Sequence, residues 1–286
     1  MAENADKVWL GTSWKMTKTI GEALAYVETL ADRQLPDAVQ TFLVPAHTAL
    51  AAVRGRMPAN SPVLLGAQNA HWAAEGAGTG EVSMRMVADA GARLVEIGHS
   101  ERREHHNETD ESVSLKVRAA LDAALVPLVC VGEPLAIREA GGDREFVRAQ
   151  VSAALSRLSP AEVCRVVLAY EPIWAIGERG RPATPEEVAP VIEEIREEVA
   201  RASGGRGCRA VLYGGSVNLD NAAALLERTG ADGLFVGRTA WDVHRFLKLV
   251  DIAADHSARR LRGGREERVD RPHAPNTPSG SVAKGL

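Results

Sequence analysis

The chain has 286 residues, 25% of them charged, and a formal net charge of −4. That length suits one large α/β domain or two small ones, with ample apolar content for a core. The mildly acidic balance argues against a general nucleic-acid binder, and no apolar run is long enough to span a bilayer. The polar, acidic stretch Met1 to Lys7 does not read as a signal peptide. Cys130, Cys164 and Cys208 lie far apart, with neither CxxC nor zinc-ligand spacing, which predicts free thiols in a reducing cytoplasm.

In chain order, short apolar runs alternate with longer amphipathic ones. The apolar runs are Val8 to Ser13, Thr41 to Pro45, Val63 to Gln68, Arg93 to Gly98, Pro127 to Gly132, Arg165 to Glu171, Ala210 to Gly214 and Gly233 to Gly237. Each reads as a buried parallel strand. Helical patterns fall between them, among others Ile20 to Arg33, Thr109 to Ala124, Pro185 to Ala202 and Asn218 to Thr229. Thr184-Pro185-Glu186-Glu187 is a helix start, with Thr184 as N-cap, proline first and Glu187 third. Eight strands, each followed by a helix, predict a single (β/α)8 barrel over residues 1–256. A doubly wound sheet would need fewer strands or a second domain, and no glycine-rich phosphate loop follows the first strand.

A barrel places function where its strands end. Those ends carry Ser13 and Lys15, Gln68 and Asn69, His99 with Glu101, Glu133, Glu171, Gly214-Gly215-Ser216, and Gly237-Arg238. Two glycine-rich turns at the last two strands suit a phosphate, because bare backbone N–H groups can approach an anion closely. Each turn alone reads better as an ordinary tight loop, and it is the pair at strands seven and eight that points to a phosphate. The stretch RVVLAYEPIWAIG from Arg165 to Gly177 sets the lone carboxylate of Glu171 at the mouth of a buried strand, ahead of an apolar flap. It fits a general base that flap closure would desolvate, and it fits equally a carboxylate that salt-bridges at a strand end. His105, His106, Glu104 and Glu108 lack metal-ligand spacing and read as solvated charge, and Cys130 as a small core residue. Trp14, Trp72, Trp174 and Trp241 read as packing beneath loops.

From Trp9 to about Ala254 the chain resembles the triosephosphate isomerase family. The resemblance rests on WKM at 14–16, AQN at 67–69, TGE at 79–81, GHSERR at 98–103, AYEPIWAIG at 169–177, YGGSV at 213–217 and DGLFVG at 232–237, in the family's order and spacing. It implies a (β/α)8 TIM barrel that isomerises a small phosphorylated sugar through an enediol, with no metal or organic cofactor. Glu171 then matches the base, His99 the neutral electrophile, Lys15 the stabilising cation and Glu101 the carboxylate that positions the lysine. Gly177, Gly215, Ser216 and Gly237 match the phosphate grip, and Pro172 to Ala183 the closing loop. The loop 68–81 matches one that inserts into a neighbouring subunit, which implies a homodimer.

The chain also departs from the family pattern. Ser13 stands where the family has asparagine, Arg238 replaces a phosphate-gripping glycine, the loop after Gly177 is one residue longer, and Gly78 stands where loop three has a phenylalanine. GTSWKM, AQNAHWA and VGRTAW together resemble a branch that isomerises L-erythrulose 1-phosphate to D-erythrulose 4-phosphate in erythritol breakdown. That substrate is dihydroxyacetone phosphate with a hydroxymethyl group on the carbon that loses its proton. Ser13, two heavy side-chain atoms shorter than asparagine, makes room for the added group provided its side chain points toward it. Arg238 is a candidate contact to phosphate or to the extra hydroxyl. The alternatives are a triosephosphate isomerase with an altered pocket or a barrel kept for binding. From Ser257 to Leu286 arginines mix with acids and then Pro, Gly, Ser and Asn, a composition that predicts a disordered tail.

Overall fold

A computed structural model describes residues 7–177 and 180–269, with side chains through 262. Eight parallel strands close on themselves in sequence order, β8 pairing with β1. They are β1 (Val8–Ser13), β2 (Val39–Val44), β3 (Leu64–Ala67), β4 (Leu94–Ile97), β5 (Val126–Val131), β6 (Val167–Tyr170), β7 (Ala210–Tyr213) and β8 (Gly233–Val236). The helices α1 (Ile20–Ala31), α2 (His47–Arg56), α3 (Met84–Asp89), α4 (Ser100–His105) and α5 (Asp110–Asp122) surround the first half. The second half carries α6 (Leu135–Glu139), α7 (Asp143–Leu155), α8 (Pro185–Ser203), α9 (Ala222–Arg228) and α10 (Val243–Val269). The expected barrel is present, with strand limits displaced by a residue or two. Helix α8 starts as its sequence predicts: Thr184 and Glu187 form a capping box, Pro185 opens the helix, and Gly204 ends it at φ +62°. Helix α10 continues past Ser257, so the tail anticipated there begins inside a helix. Residues 270–286 lie outside the described residues.

Alternation along the strands divides the apolar side chains between two cores. Outward residues such as Leu10, Val95 and Leu168 pack beneath the helices. Inward residues, including Trp9, Phe42, Val44, Leu94, Leu128, Leu212 and Phe235, fill the barrel. So many large side chains fit only because glycines face them. The Phe42 ring occupies the place of a Gly11 side chain: a Cβ there would sit 2.3 Å from three ring atoms. At Gly233 a Cβ would lie 1.9 Å from the Trp9 carbonyl oxygen.

Two glycine substitutions should therefore act in opposite directions. Gly11→Ala overpacks the barrel and should cost about 1–3 kcal/mol, lowering the melting temperature by several degrees. Gly21→Ala, in α1 with nothing within 4 Å of the added carbon, should be neutral or stabilise by up to about 1 kcal/mol. Denaturant melts of both variants check the pair.

Candidate active site

Glu171 follows β6 directly and remains in the ladder, its N–H donating to the Val131 carbonyl at 2.8 Å. Two glycines make room for it. A Cβ at Gly132 would lie 1.9 Å from the Glu171 carbonyl oxygen, and one at Gly214 would lie 2.7 Å from Cγ and 2.8 Å from Oε1 of its side chain. The carboxylate is thus seated over bare backbone at the top of the barrel, 5% exposed. Its Oε2 has no hydrogen-bond partner and lies 3.3 Å from His99 Nε2. Burial, and then the charge of nearby Glu96, raise its pKa to about 8.

His99 is the N-cap of α4, and its Nδ1 accepts the Glu101 N–H at 3.1 Å. An Nδ1 that accepts leaves the ring proton on Nε2, the nitrogen facing Glu171. Burial, helped by the Lys15 charge, pushes the imidazole pKa down to about 4, so the ring is neutral across physiological pH.

Lys15 adopts a left-handed backbone at φ +49°, just beyond β1. Gln68 holds it there by donating from Nε2 to the Lys15 carbonyl at 2.8 Å. Its ammonium donates to Glu101 Oε1 at 2.7 Å. Burial opposes the lysine charge, but the Glu101 hydrogen bond and the charges of Glu171, Glu101 and Glu96 outweigh it and raise the pKa. At Glu101 burial acts upward, and the Lys15 hydrogen bond and charge reverse it, leaving a lowered pKa. The sequence-predicted quartet Glu171, His99, Lys15 and Glu101 is therefore one connected group.

The flap is clamped at both described ends. Trp174 Nε1 donates to Glu133 Oε1 at 2.7 Å, and Tyr170 donates its hydroxyl to the same oxygen at 3.1 Å. Glu133, fully buried, is thus an anchor for the flap. The Arg138 and Arg181 guanidinium groups lie 4.6 and 4.5 Å from the Trp174 ring centre, and Arg181 is held on Glu187 by bonds of 2.9 and 2.6 Å. Gly177 turns at φ +79°. Glu178 and Arg179, which the sequence places in this loop, lie outside the described residues.

The turns proposed for phosphate adjoin one another. The Ser216 N–H donates to the Ala175 carbonyl at 2.9 Å, and Thr239 donates from Oγ1 to the Val217 carbonyl at 2.7 Å. Gly215 must be glycine, since a Cβ would meet the Tyr213 hydroxyl at 2.2 Å, whereas Gly237 faces open space. Arg238 is exposed and forms no side-chain hydrogen bond or ion pair among the described residues.

Two expectations need revision. Trp72 does not pack beneath a loop: it is 41% exposed and stacks on the His71 ring, with centroids 4.1 Å apart. Glu108 is not solvated: it is buried and accepts from the Gly98 N–H, Arg102 and Lys116 at 2.9, 2.7 and 2.9 Å. It supports the turn before His99, while Glu104 and His105 are exposed as expected. The larger omission is Glu96 on β4, 3% exposed, which accepts a hydrogen bond from Ser13 Oγ at 2.8 Å. It borders the same pocket as Ser13, Lys15, His99 and Glu101. A search of strand ends passes over a mid-strand glutamate. The signal was the alternation itself, because Leu94 faces the barrel interior and Glu96 must do so too. Among the described residues no three His, Cys, Asp or Glu side chains converge as a metal cage.

Residues 8–253 match the family model for triosephosphate isomerase. The L-erythrulose-1-phosphate isomerase of Mycolicibacterium smegmatis is 48% identical over 260 residues, covering 89% of this chain and 96% of the relative. Proteins of the same name from Rhizobium rhizogenes and Brucella suis are 46% and 44% identical, covering 90% and 85% of this chain and 97% and 95% of theirs.

The influence of Glu96 on Glu171 can be measured directly. Removing the neighbouring charge with Glu96→Gln should move the Glu171 pKa down from about 8, while burial keeps it above the ordinary 4.5. Isotope-edited infrared titration of the glutamate carboxyls checks this, and an unmoved midpoint would show that the two groups do not sense each other.

Proposed function

Because the chain belongs to the triosephosphate isomerase family and is an isomerase, we propose that it interconverts L-erythrulose 1-phosphate and D-erythrulose 4-phosphate. The observation that carries the chemistry is the buried, unpaired Glu171 Oε2, 3.3 Å from His99 Nε2. The names of the relatives and the Ser13 and Arg238 departures support the four-carbon substrate.

In this reading Glu171 removes the proton from carbon 3, and the electron pair moves onto the carbonyl oxygen at carbon 2. The neutral His99 ring, with its proton on Nε2, and the Lys15 ammonium meet the charge that develops there. Both donors are positioned beforehand, His99 by the α4 N-terminus and Lys15 by Glu101 and Gln68, so little reorganisation is needed as charge forms. His99 carries a proton between the two oxygens of the enediol, and Glu171 returns its proton to carbon 2, which leaves the carbonyl at carbon 3. Desolvation makes the carboxylate a stronger base toward a weak carbon acid. Gly177, Gly215, Ser216, Gly237 and Arg238 take the phosphate end.

A homodimer joined through the loop 68–81 belongs to the same reading. It is supported by the exposed loop tip with Trp72 41% exposed and by Met16, beside Lys15, at 99%. A partner's loop would cover that apolar side chain.

The deciding experiment measures kcat/KM of the purified protein on L-erythrulose 1-phosphate and glyceraldehyde 3-phosphate side by side. A clear preference for the tetrulose phosphate is expected. Preference for the triose phosphate would overturn the substrate, and turnover of neither would overturn the enzymatic reading. Glu171→Gln should lower kcat by about 10²–10⁴-fold, with the melting temperature unchanged or raised because a buried acid is removed.

A further inference from the structure

The floor of the pocket holds a charge that a phosphate would avoid. Ser13 and Glu96 are 4% and 3% exposed, and their side chains meet across the top of the barrel interior. Ser13 binds Oε2; Oε1 makes no hydrogen bond to protein among the described residues, and Glu96 lines the pocket beside Lys15 and His99. The strand end that carries Ser13 is pinned from two sides. Trp241 Nε1 donates to the Ser13 carbonyl at 2.9 Å, and Gln68 Nε2 donates to the carbonyls of Lys15 and Val44 at 2.8 and 3.2 Å. With its backbone fixed, Ser13 holds the Glu96 carboxyl in one orientation.

A carboxyl with one oxygen held and the other free at a pocket wall is a receptor for a hydroxyl. It repels anions, so the phosphate must lie at the opposite end, over the bare backbone of the turns after β7 and β8. What reaches Glu96 is therefore the uncharged, hydroxylated end of the substrate, next to the carbon from which Glu171 takes a proton. We infer that Glu96, oriented by Ser13, is the specificity-determining residue that binds the hydroxyl of a hydroxymethyl group on the reacting carbon. This rests on the four-carbon reading above and names the contact that selects for it. Burial opposes ionisation of Glu96 more than the Ser13 bond favours it, and its pKa rises to about 7. Near neutrality the group thus both donates and accepts. A three-carbon ketose phosphate leaves this carboxyl without a ligand partner, and a site built to bond a hydroxyl discriminates strongly against an analogue that lacks it.

The test compares kcat/KM on L-erythrulose 1-phosphate and dihydroxyacetone phosphate for the wild type, Glu96→Leu and Glu96→Gln. The ratio of the two is the readout, because loss of the Glu96 charge also alters Glu171 and affects both substrates equally. Glu96→Leu should lower the tetrulose-to-triose ratio by about 100-fold. Glu96→Gln keeps the shape and some hydrogen bonding, and should lower the ratio by about 10-fold. If Glu96→Leu does not fold, as judged by its melting curve, the glutamine variant decides. A wild type that turns over the tetrulose phosphate, with variants that keep its ratio, overturns the inference alone. A wild type that ignores the tetrulose phosphate overturns the four-carbon reading, and this contact with it.

Discussion

A closed barrel has to fill its own interior from alternate residues of eight strands, and that constraint governs the rest of this molecule. The strands converge on one axis, so every large inward side chain must be matched by a small one. Phe42 lies where a Gly11 side chain would be, and the Trp9 carbonyl lies against Gly233. Higher up, the same rule leaves Gly132 and Gly214 beneath Glu171. There the missing side chains are replaced by a carboxylate that must share a water-poor space with Glu96 and Cys130. Barrel packing and the burial of Glu171 are thus one arrangement seen at two depths.

The polar layer at the top is ordered by backbone contacts more than by side-chain pairs. His99 takes its tautomer from the Glu101 N–H, Lys15 its left-handed turn from Gln68, and Ser13 its position from Trp241. These supports come from α4, the residue after β3 and the turn after β8, so no single loop displacement disturbs all of them. The flap is anchored separately on Glu133 and Glu187, through Trp174 and Arg181.

Much of this was legible in the sequence for a physical reason. Buried parallel strands are short, apolar and punctuated, so eight of them stand out, and their ends are the first place to look for chemistry. Glu171, His99, Lys15 and Glu101 stand among those ends, and the resemblance to the family singled them out. Glu96 was missed, because a charged residue inside an apolar strand looks like an interruption until its neighbours show which way it points. Glu108 was misread for the opposite reason: its exposed neighbours in EHHNE suggested solvent, while its partners Arg102 and Lys116 lie six and eight residues away along the chain. Strand limits shifted by a residue or two because a strand ends where pairing stops, which local composition does not record.

The buried acids also tie folding to acidity. The protons that Glu171 and Glu96 retain to about 8 and 7 are given up near 4.5 by an unfolded chain. The stability these two groups lend is therefore full below pH 4.5 and is lost as the pH rises through 7 and 8. Glu162 and Glu187, held down to about 2 mainly by backbone and arginine hydrogen bonds, act in the other sense and give up their contribution as the pH falls from 4.5 toward 2. Between them these opposed sets place the most favourable acidity for the fold below the one at which Glu171 is ionised. In the reaction proposed above, the fold gives up part of its stability at the same acidity at which Glu171 can take a proton.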